Sequence, residues 1–381
     1  MLQYVDLWNR SDAQARLYVT RLVAPLGFGV RVTNAANAAT SQRRQGLKRG
    51  AAQHQIPRHD EAFGQQLAKV ALLNDSPDLH CSRQAPPSIM APEKKPLTWL
   101  ITGSSNGFGL ALTRYALAAG DSVIATSRNP AKTPELVEEV EAQANGRWVA
   151  LDVSWSQDKV KEVIDHAETL FDGGIDVVVN NAAYSLLGAV EDVQEDRAKA
   201  QFETNFWGPV RICNAVLPHM RGRGRGTIAN ISSILGLMTW PAMGFYSASK
   251  FALESISEVL ASEVSQFGVR VLIVEPGSFR TNFLSEGSMQ SAGPSAPYQS
   301  PHPAGESLRY EQERAGMQPG DPEKAARAIY DAIVGKDERL GNVLRLPLGS
   351  DCWNKGVAHL DSVRSDFETC KDVALSMQIE E

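Results

Sequence analysis

What this sequence has little of narrows its class before any motif does. Only four cysteines, Cys81, Cys213, Cys352 and Cys370, are spread through 381 residues, with no CxxC pair and no Cys/His ligand spacing. That scatter argues against a zinc module or a disulfide scaffold and for reduced thiols in a reducing compartment, the cytoplasm. No apolar run comes near the ~18 residues that a membrane-crossing helix needs. Positive charge is short as well: 38 Lys and Arg face 44 Asp and Glu, and the net charge of -6 gives nucleic acid no footing. What is present, 43% hydrophobic residues, suffices for one large buried core.

The chain changes character near residue 90. Residues 1–89 are rich in Ala, Gln and Arg and keep no sustained period, so they are expected to form a poorly ordered extension. Its basic run from Arg43 to Arg49 suits a solvated stretch, with targeting as the lesser reading. Met90 opens a short polar lead-in, a natural start for the domain. From Leu97, short apolar runs alternate with amphipathic segments, the pattern of an α/β fold with a doubly wound, Rossmann-like parallel sheet of about seven strands and helices on both faces. Strands are expected at 98–101, 122–126, 147–151, 176–180, 227–232, 269–275 and 343–346, and a long helix at 196–220. The domain would span 90–350, with a mobile substrate lid near 285–320, a helix from Pro322 to Val334 and a helical tail over 351–381. The linker Arg221 to Gly226 reads as a mobile surface turn.

Chemistry concentrates at Tyr246-Ser247-Ala248-Ser249-Lys250, with Ser233 thirteen positions before the tyrosine. On a helix, Tyr246 and Lys250 share one face. A cation at about 4 Å supplies about 4 kcal/mol at an effective dielectric of ~20, enough to bring a phenol from ~10 to about 7. Tyr246 would then serve as a general acid/base, and Ser233 as a donor to an oxygen gaining negative charge. Taken alone, Tyr-x-x-x-Lys also suits an exposed helical pair. The loop Ile234 to Phe245 between them is unusually apolar and suggests a greasy substrate.

Upstream, Thr102-Gly103-Ser104-Ser105-Asn106-Gly107-Phe108-Gly109 follows the first expected strand. Its glycines permit a tight turn and close approach of a pyrophosphate to a helix N terminus. Later come Asn180-Asn181-Ala182-Ala183 and Pro276-Gly277. In order and spacing these elements resemble the short-chain dehydrogenase/reductase family, whose signature is TGxxxGxG, NNAG, a serine about thirteen before YxxxK, and PG. The resemblance covers residues 96–350. The FGLAL turn and the Ala-Val-Glu-Asp run after Gly188 look like the branch with 17β-hydroxysteroid and retinol dehydrogenases.

The resemblance implies hydride transfer between a nicotinamide and a small carbonyl or alcohol substrate, with Tyr246, Lys250, Ser233 and Asn205 as a catalytic tetrad, and with Tyr246 and Lys250 also binding the cofactor, Lys250 through its ribose. In that tetrad Asn205 would hold a proton-relaying water; otherwise an Asn in an apolar helix bends it or faces solvent. Asp152 and Val153 match the adenine-binding pair, and Asp152 could equally cap the next helix. Thr281 matches a threonine that binds phosphate or carboxamide. Ala183 departs from NNAG, at a cost in backbone freedom. Tyr184 to Gly188 falls where the family lines its substrate cleft, though Leu186 and Leu187 suit the core as well. After the second strand, Ser127 and Arg128 stand where an NAD site places an acid, so a 2′-phosphate and NADP(H) are expected. Asn106 occupies a turn position that is often basic in the family. A homodimer or homotetramer through the helices carrying Asn205 and Tyr246 is implied too. A cofactor-sensing regulator, an NAD-dependent dehydrogenase and an epimerase or dehydratase are the other readings.

Overall fold

The computed structural model describes residues 95–284 and 288–379. The expectations for residues 1–89 and for Met90 lie outside them.

In chain order the elements are β1 (Thr98–Ile101), α1 (Gly107–Ala118), β2 (Ser122–Ser127), α2 (Pro134–Glu141), β3 (Gly146–Ala150), α3 (Gln157–Ala167), β4 (Val177–Asn180) and β5 (Ser185–Leu187). Next come α4 (Glu195–Phe202), a π-helical turn (Glu203–Trp207), α5 (Gly208–Arg223), β6 (Gly226–Ile231), α6 (Gly244–Val264) and β7 (Val269–Pro276). The chain closes with β8 (Met289–Ser291), α7 (Pro303–Glu313), α8 (Pro322–Val334), β9 (Arg345–Leu348), α9 (Ser350–Thr369) and the short α10 (Lys371–Leu375). Seven strands form one parallel sheet in the order β3-β2-β1-β4-β6-β7-β9, and β5 pairs with β8 apart from it.

The sheet strands are mainly apolar, as suits a sheet covered on both faces. Successive side chains alternate between two cores. Trp99, Ile101, Val123, Ala125, Val177 and Val179 pack with Leu112 and Ala116 of α1 and Ile329 and Ile333 of α8. Leu100, Ile124 and Val178 pack on the other face with Val160 and Ile164 of α3 and Ile212 and Val216 of α5. A fully buried Val, Leu or Ile contributes roughly 1.5–3 kcal/mol, so the sheet interior is the main source of stability. Polar groups are built into it as well. Buried Asp121 accepts from Leu97 N at 2.9 Å, Trp99 Nε1 at 2.9 Å and Tyr330 Oη at 2.8 Å.

Several expected elements differ in detail. The long helix expected at 196–220 is two helices with a π turn between them, and α5 continues to Arg223. The Arg-Gly linker is therefore partly helical, and it is tied down: Arg223 pairs with Glu168 at 2.6 Å and Arg225 with Asp176 at 3.0 Å. The last strand lies two residues later than expected, at Arg345–Leu348. The stretch expected as a loop lid holds β8 and α7, and Ala304 and Leu308 of α7 pack on Leu187, Ala242 and Met243. The tail is α9 followed by α10, with Pro322–Val334 helical as expected. Among the described residues, no helix is long and apolar enough to cross a membrane.

Candidate active site

A cleft of about 1180 Å³ runs along the C-terminal edge of the sheet, where ligands of such folds bind. At one end lies the glycine turn, at the other Ser233, Tyr246 and the apolar residues after β6.

The turn is held by hydrogen bonds that come from across the sheet. The Thr102 hydroxyl oxygen accepts from the backbone N–H of Asn181 at 2.9 Å and of Ala182 at 3.0 Å. The Asn181 amide donates back to the carbonyls of Thr102 at 2.8 Å and Gly103 at 3.2 Å. Strand β4 thus clamps the turn that leaves β1. Three glycines are required by geometry. Gly103 has φ +69° and Gly107 φ +54°, both in the left-handed region. A Cβ on Gly109 would sit 2.3 Å from the Gly103 carbonyl oxygen. Helix α1 starts without a side-chain cap and without an acid in its first turn, so its first N–H groups and positive end face the cleft. Ala183 needs no glycine, since Ala242 alone among described non-glycine residues has positive φ. The departure from NNAG therefore costs no backbone strain.

Tyr246 and Lys250 lie in the first two turns of α6, both buried, and Ser233 follows β6. The Ser233 side chain lies near enough to the phenol to favour its ionised form, and the Ser233 oxygen accepts from Leu235 N at 3.1 Å. The lysine does not do what was expected of it. Its Nζ donates to the Ile231 carbonyl at 2.7 Å and stands 5.9 Å from the centroid of the Tyr246 ring. Burial pushes the Tyr246 phenol up to about 12 against the lowering effect of Ser233. Burial likewise lowers Lys250 to about 8, partly offset by Glu254. The expected depression of the phenol is corrected to a rise, because burial dominates and the Lys250 ammonium is turned to the Ile231 carbonyl.

Of the other expected residues, Ser105, Asn106, Gly107, Phe108, Arg128, Asp152, Val153, Asn181, Ala182, Ala183, Pro276, Gly277 and Thr281 line the cleft. Thr102 and Gly109 stand behind the turn and shape it. Arg128 is exposed at the edge of the cleft. Asp152 accepts from Ser154 N at 2.9 Å, closing a local turn, while Ser156 rather than Asp152 caps α3. Asn205 sits in the π turn with its side chain committed to structure. Its oxygen accepts from Tyr184 N at 3.1 Å, and its nitrogen donates to Tyr184 O at 2.9 Å and Ser249 Oγ at 3.1 Å. It joins the segment after β4 to the helix that carries Tyr246. Leu186 and Leu187 are core residues.

The sequence reading missed a charge cluster beneath the site. Arg345 of β9 contacts Glu254 and Glu258 of α6 and Glu275 of β7. Burial and the neighbouring Glu254 hold the Glu275 carboxyl above its usual range. Asp351 was missed as well. It accepts from Ser278 N at 2.8 Å and fills the space that a Gly277 side chain would need. Phe283, whose ring lies 5.9 Å from that of Tyr246, also had no signal in the motif spacing.

Comparison with known proteins agrees with this geometry. Residues 98–291 match the family described as short chain dehydrogenase. An oxidoreductase of Botryotinia fuckeliana is 39% identical over 279 residues, which span 73% of this chain and 98% of that protein. A solved short-chain dehydrogenase from Streptomyces avermitilis is 38% identical, with a TM-score of 0.67 over 74% of this chain and 100% of its own. A gluconate 5-dehydrogenase from Burkholderia cenocepacia, solved with NADP and tartrate, is 25% identical at a TM-score of 0.51, over 62% of this chain and 87% of its own. With the clamped glycine turn and the Ser-Tyr-Lys set at two ends of one cleft, the chain belongs to the short-chain dehydrogenase family and is an oxidoreductase.

Proposed function

We propose that the protein is an NADP(H)-dependent enzyme that moves hydride between nicotinamide and the carbonyl or secondary alcohol of a small, mainly apolar substrate. The observation that carries this reading is the Ser233–Tyr246 pair, both buried and both lining the same cleft as the uncapped N terminus of α1. The turn suits a pyrophosphate, because its glycines leave the approach free of Cβ atoms and the helix end offers N–H donors. When bound, the nicotinamide supplies or takes up the hydride.

The protein's own groups handle the proton. At about 12, the Tyr246 phenol keeps its proton at neutral pH and can give it to a carbonyl oxygen as negative charge grows there. Ser233 donates a second hydrogen bond to that oxygen. One carbonyl, one hydride and one proton become one alcohol. Lys250, fixed by the Ile231 carbonyl, places positive charge beside the phenolate left behind. Asn205 keeps Tyr184 and Ser249 in register with that helix.

Arg128 supports NADP(H) over NAD(H), since an exposed guanidinium at the cleft edge suits a 2′-phosphate and no described carboxylate pairs with it. The NADP bound by the gluconate 5-dehydrogenase supports the same choice. The reading extends to a cytoplasmic homodimer or homotetramer, supported by exposed Trp207, Phe251 and Val259 on the segments that carry Asn205 and Tyr246. Light scattering tests the assembly. The chemistry is tested with NADPH deuterated at C4 and a panel of apolar ketones. Deuterium on the carbinol carbon of the product is the expected result. Product alcohol without deuterium, or no product, contradicts the reading.

A further inference from the structure

The lining residues of the cleft are of two unlike kinds. One is apolar, formed by Ile234, Leu235 and Met243 after β6, as the sequence suggested. The other belongs to α7 and the segment leading to α8, and it presents Glu311, Arg314 and Gln318. Gln318 is 2% exposed, yet among the described residues neither its side-chain oxygen nor its nitrogen has a hydrogen-bond partner. Only its backbone is engaged, accepting from Arg280 Nε at 3.1 Å. A buried carboxamide left open at both ends is costly to keep, which calls for a partner from the cleft.

The neighbours say which kind of partner. Arg314 stands over the Tyr310 ring at 4.8 Å and pairs with Glu311 at 3.6 Å, with side chains 16% and 13% exposed. The two charges offset each other, so a carboxylate entering here would meet Glu311 as well as Arg314. A carboxylate also only accepts, and would leave the Gln318 oxygen unpaired. A hydroxyl suits the wall better. It donates to the Gln318 oxygen and accepts from the Gln318 nitrogen or from Arg314.

We propose that Gln318, flanked by the Glu311–Arg314 pair, recognises an uncharged hydroxyl on the substrate at a distance from the reacting carbonyl. The preferred substrates are then apolar hydroxy-ketones or hydroxy-aldehydes. This rests on the reductase reading above and names the substrate class of that site.

The test compares kcat/KM with NADPH for matched ketones that carry a remote hydroxyl, a remote carboxylate or neither. The wild type should favour the hydroxyl compound over the plain ketone by about tenfold or more. Gln318→Met, similar in volume but without hydrogen-bonding atoms, should bring that ratio to within about twofold, mainly through KM. The melting temperature of the free Gln318→Met protein should not fall, because the substitution removes an unpartnered buried amide. Glu311→Gln should raise the relative rate of the carboxylate compound. A preference that survives Gln318→Met, a wild type that does not distinguish the ketones, or one that favours the carboxylate overturns the inference alone. A melting temperature lowered by Gln318→Met also overturns it, since the amide would then serve the fold. A wild type that reduces no carbonyl compound overturns the reductase reading, and this inference with it.

Discussion

The two ends of the cleft are built on different terms. At the glycine turn the protein satisfies itself: Thr102, Asn181 and Ala182 exchange hydrogen bonds across β1 and β4. What remains open there is backbone, at the start of α1. At the other end the open groups are side chains, Gln318 above all, set on α7 and its exit segment. A rigid end that offers N–H groups suits one invariant ligand. An end whose specificity sits in replaceable side chains suits a substrate that differs between relatives. Breaking the first should therefore damage fold and cofactor binding together, whereas changing the second should alter selectivity.

The largest loss is expected at Gly109. A methyl group there would lie 2.3 Å from the Gly103 carbonyl oxygen and 2.6 Å from the Asn181 amide nitrogen, and neither can move without opening the clamp. Gly109→Ala should cost about 3 kcal/mol of stability. Denaturant titration gives the loss, and cofactor titration should show weakened binding in step. A comparable change at Gly293, where nothing lies within 4 Å of a Cβ but φ is +73°, should cost less, about 1 kcal/mol.

The buried lysine gives the next effect, visible through pH. Lys250 falls from 10.5 to about 8 in the folded protein, so between those values the unfolded chain binds more protons. Stability should then rise with pH over that window, by up to about 3 kcal/mol in total. Tyr246, raised from 10.0 to about 12, acts in the opposite sense only above pH 10. Between pH 8 and 10 the wild type should therefore gain stability relative to Lys250→Met. A flat difference would show that the ammonium is better compensated than its burial implies.

How far these two ends could be read from sequence differs for physical reasons. Local pattern gave the rigid end: apolar runs marked the sheet strands to within about two residues, and glycine spacing marked the turn. Tyr246, Lys250 and Ser233 were also legible, since a four-residue helical step and a fixed interval place them together. Long-range pairing was not legible. Arg345 meets Glu254 from 91 residues away and Glu275 from 70. Strand β8 is three residues, Met-Gln-Ser, that form a strand only because β5 is there to pair with it. The rise in the Tyr246 pKa depends on burial, which no spacing reports. The π turn at Asn205 is a shift in hydrogen-bond register rather than in composition.

Smaller effects sharpen the comparison further. Thr102→Val leaves two backbone N–H groups without their acceptor and should cost about 2 kcal/mol, read as a lower melting temperature with weaker cofactor binding. Arg128→Ala should raise the KM for NADPH by about 10- to 100-fold while leaving NADH nearly unchanged. Its effect on stability should stay within about 0.5 kcal/mol, because the side chain is exposed. Equal losses with both cofactors would remove Arg128 from phosphate recognition.

Proton supply by Tyr246 and the self-contained build of the glycine turn can be separated in one variant. The most direct measurement is Tyr246→Phe, scored at once for NADPH affinity and for carbonyl reduction. Turnover should fall by about 10²- to 10⁴-fold, with the dissociation constant for NADPH within about threefold of wild type. Turnover close to wild type in the phenylalanine variant, with cofactor still bound, would contradict proton supply by Tyr246.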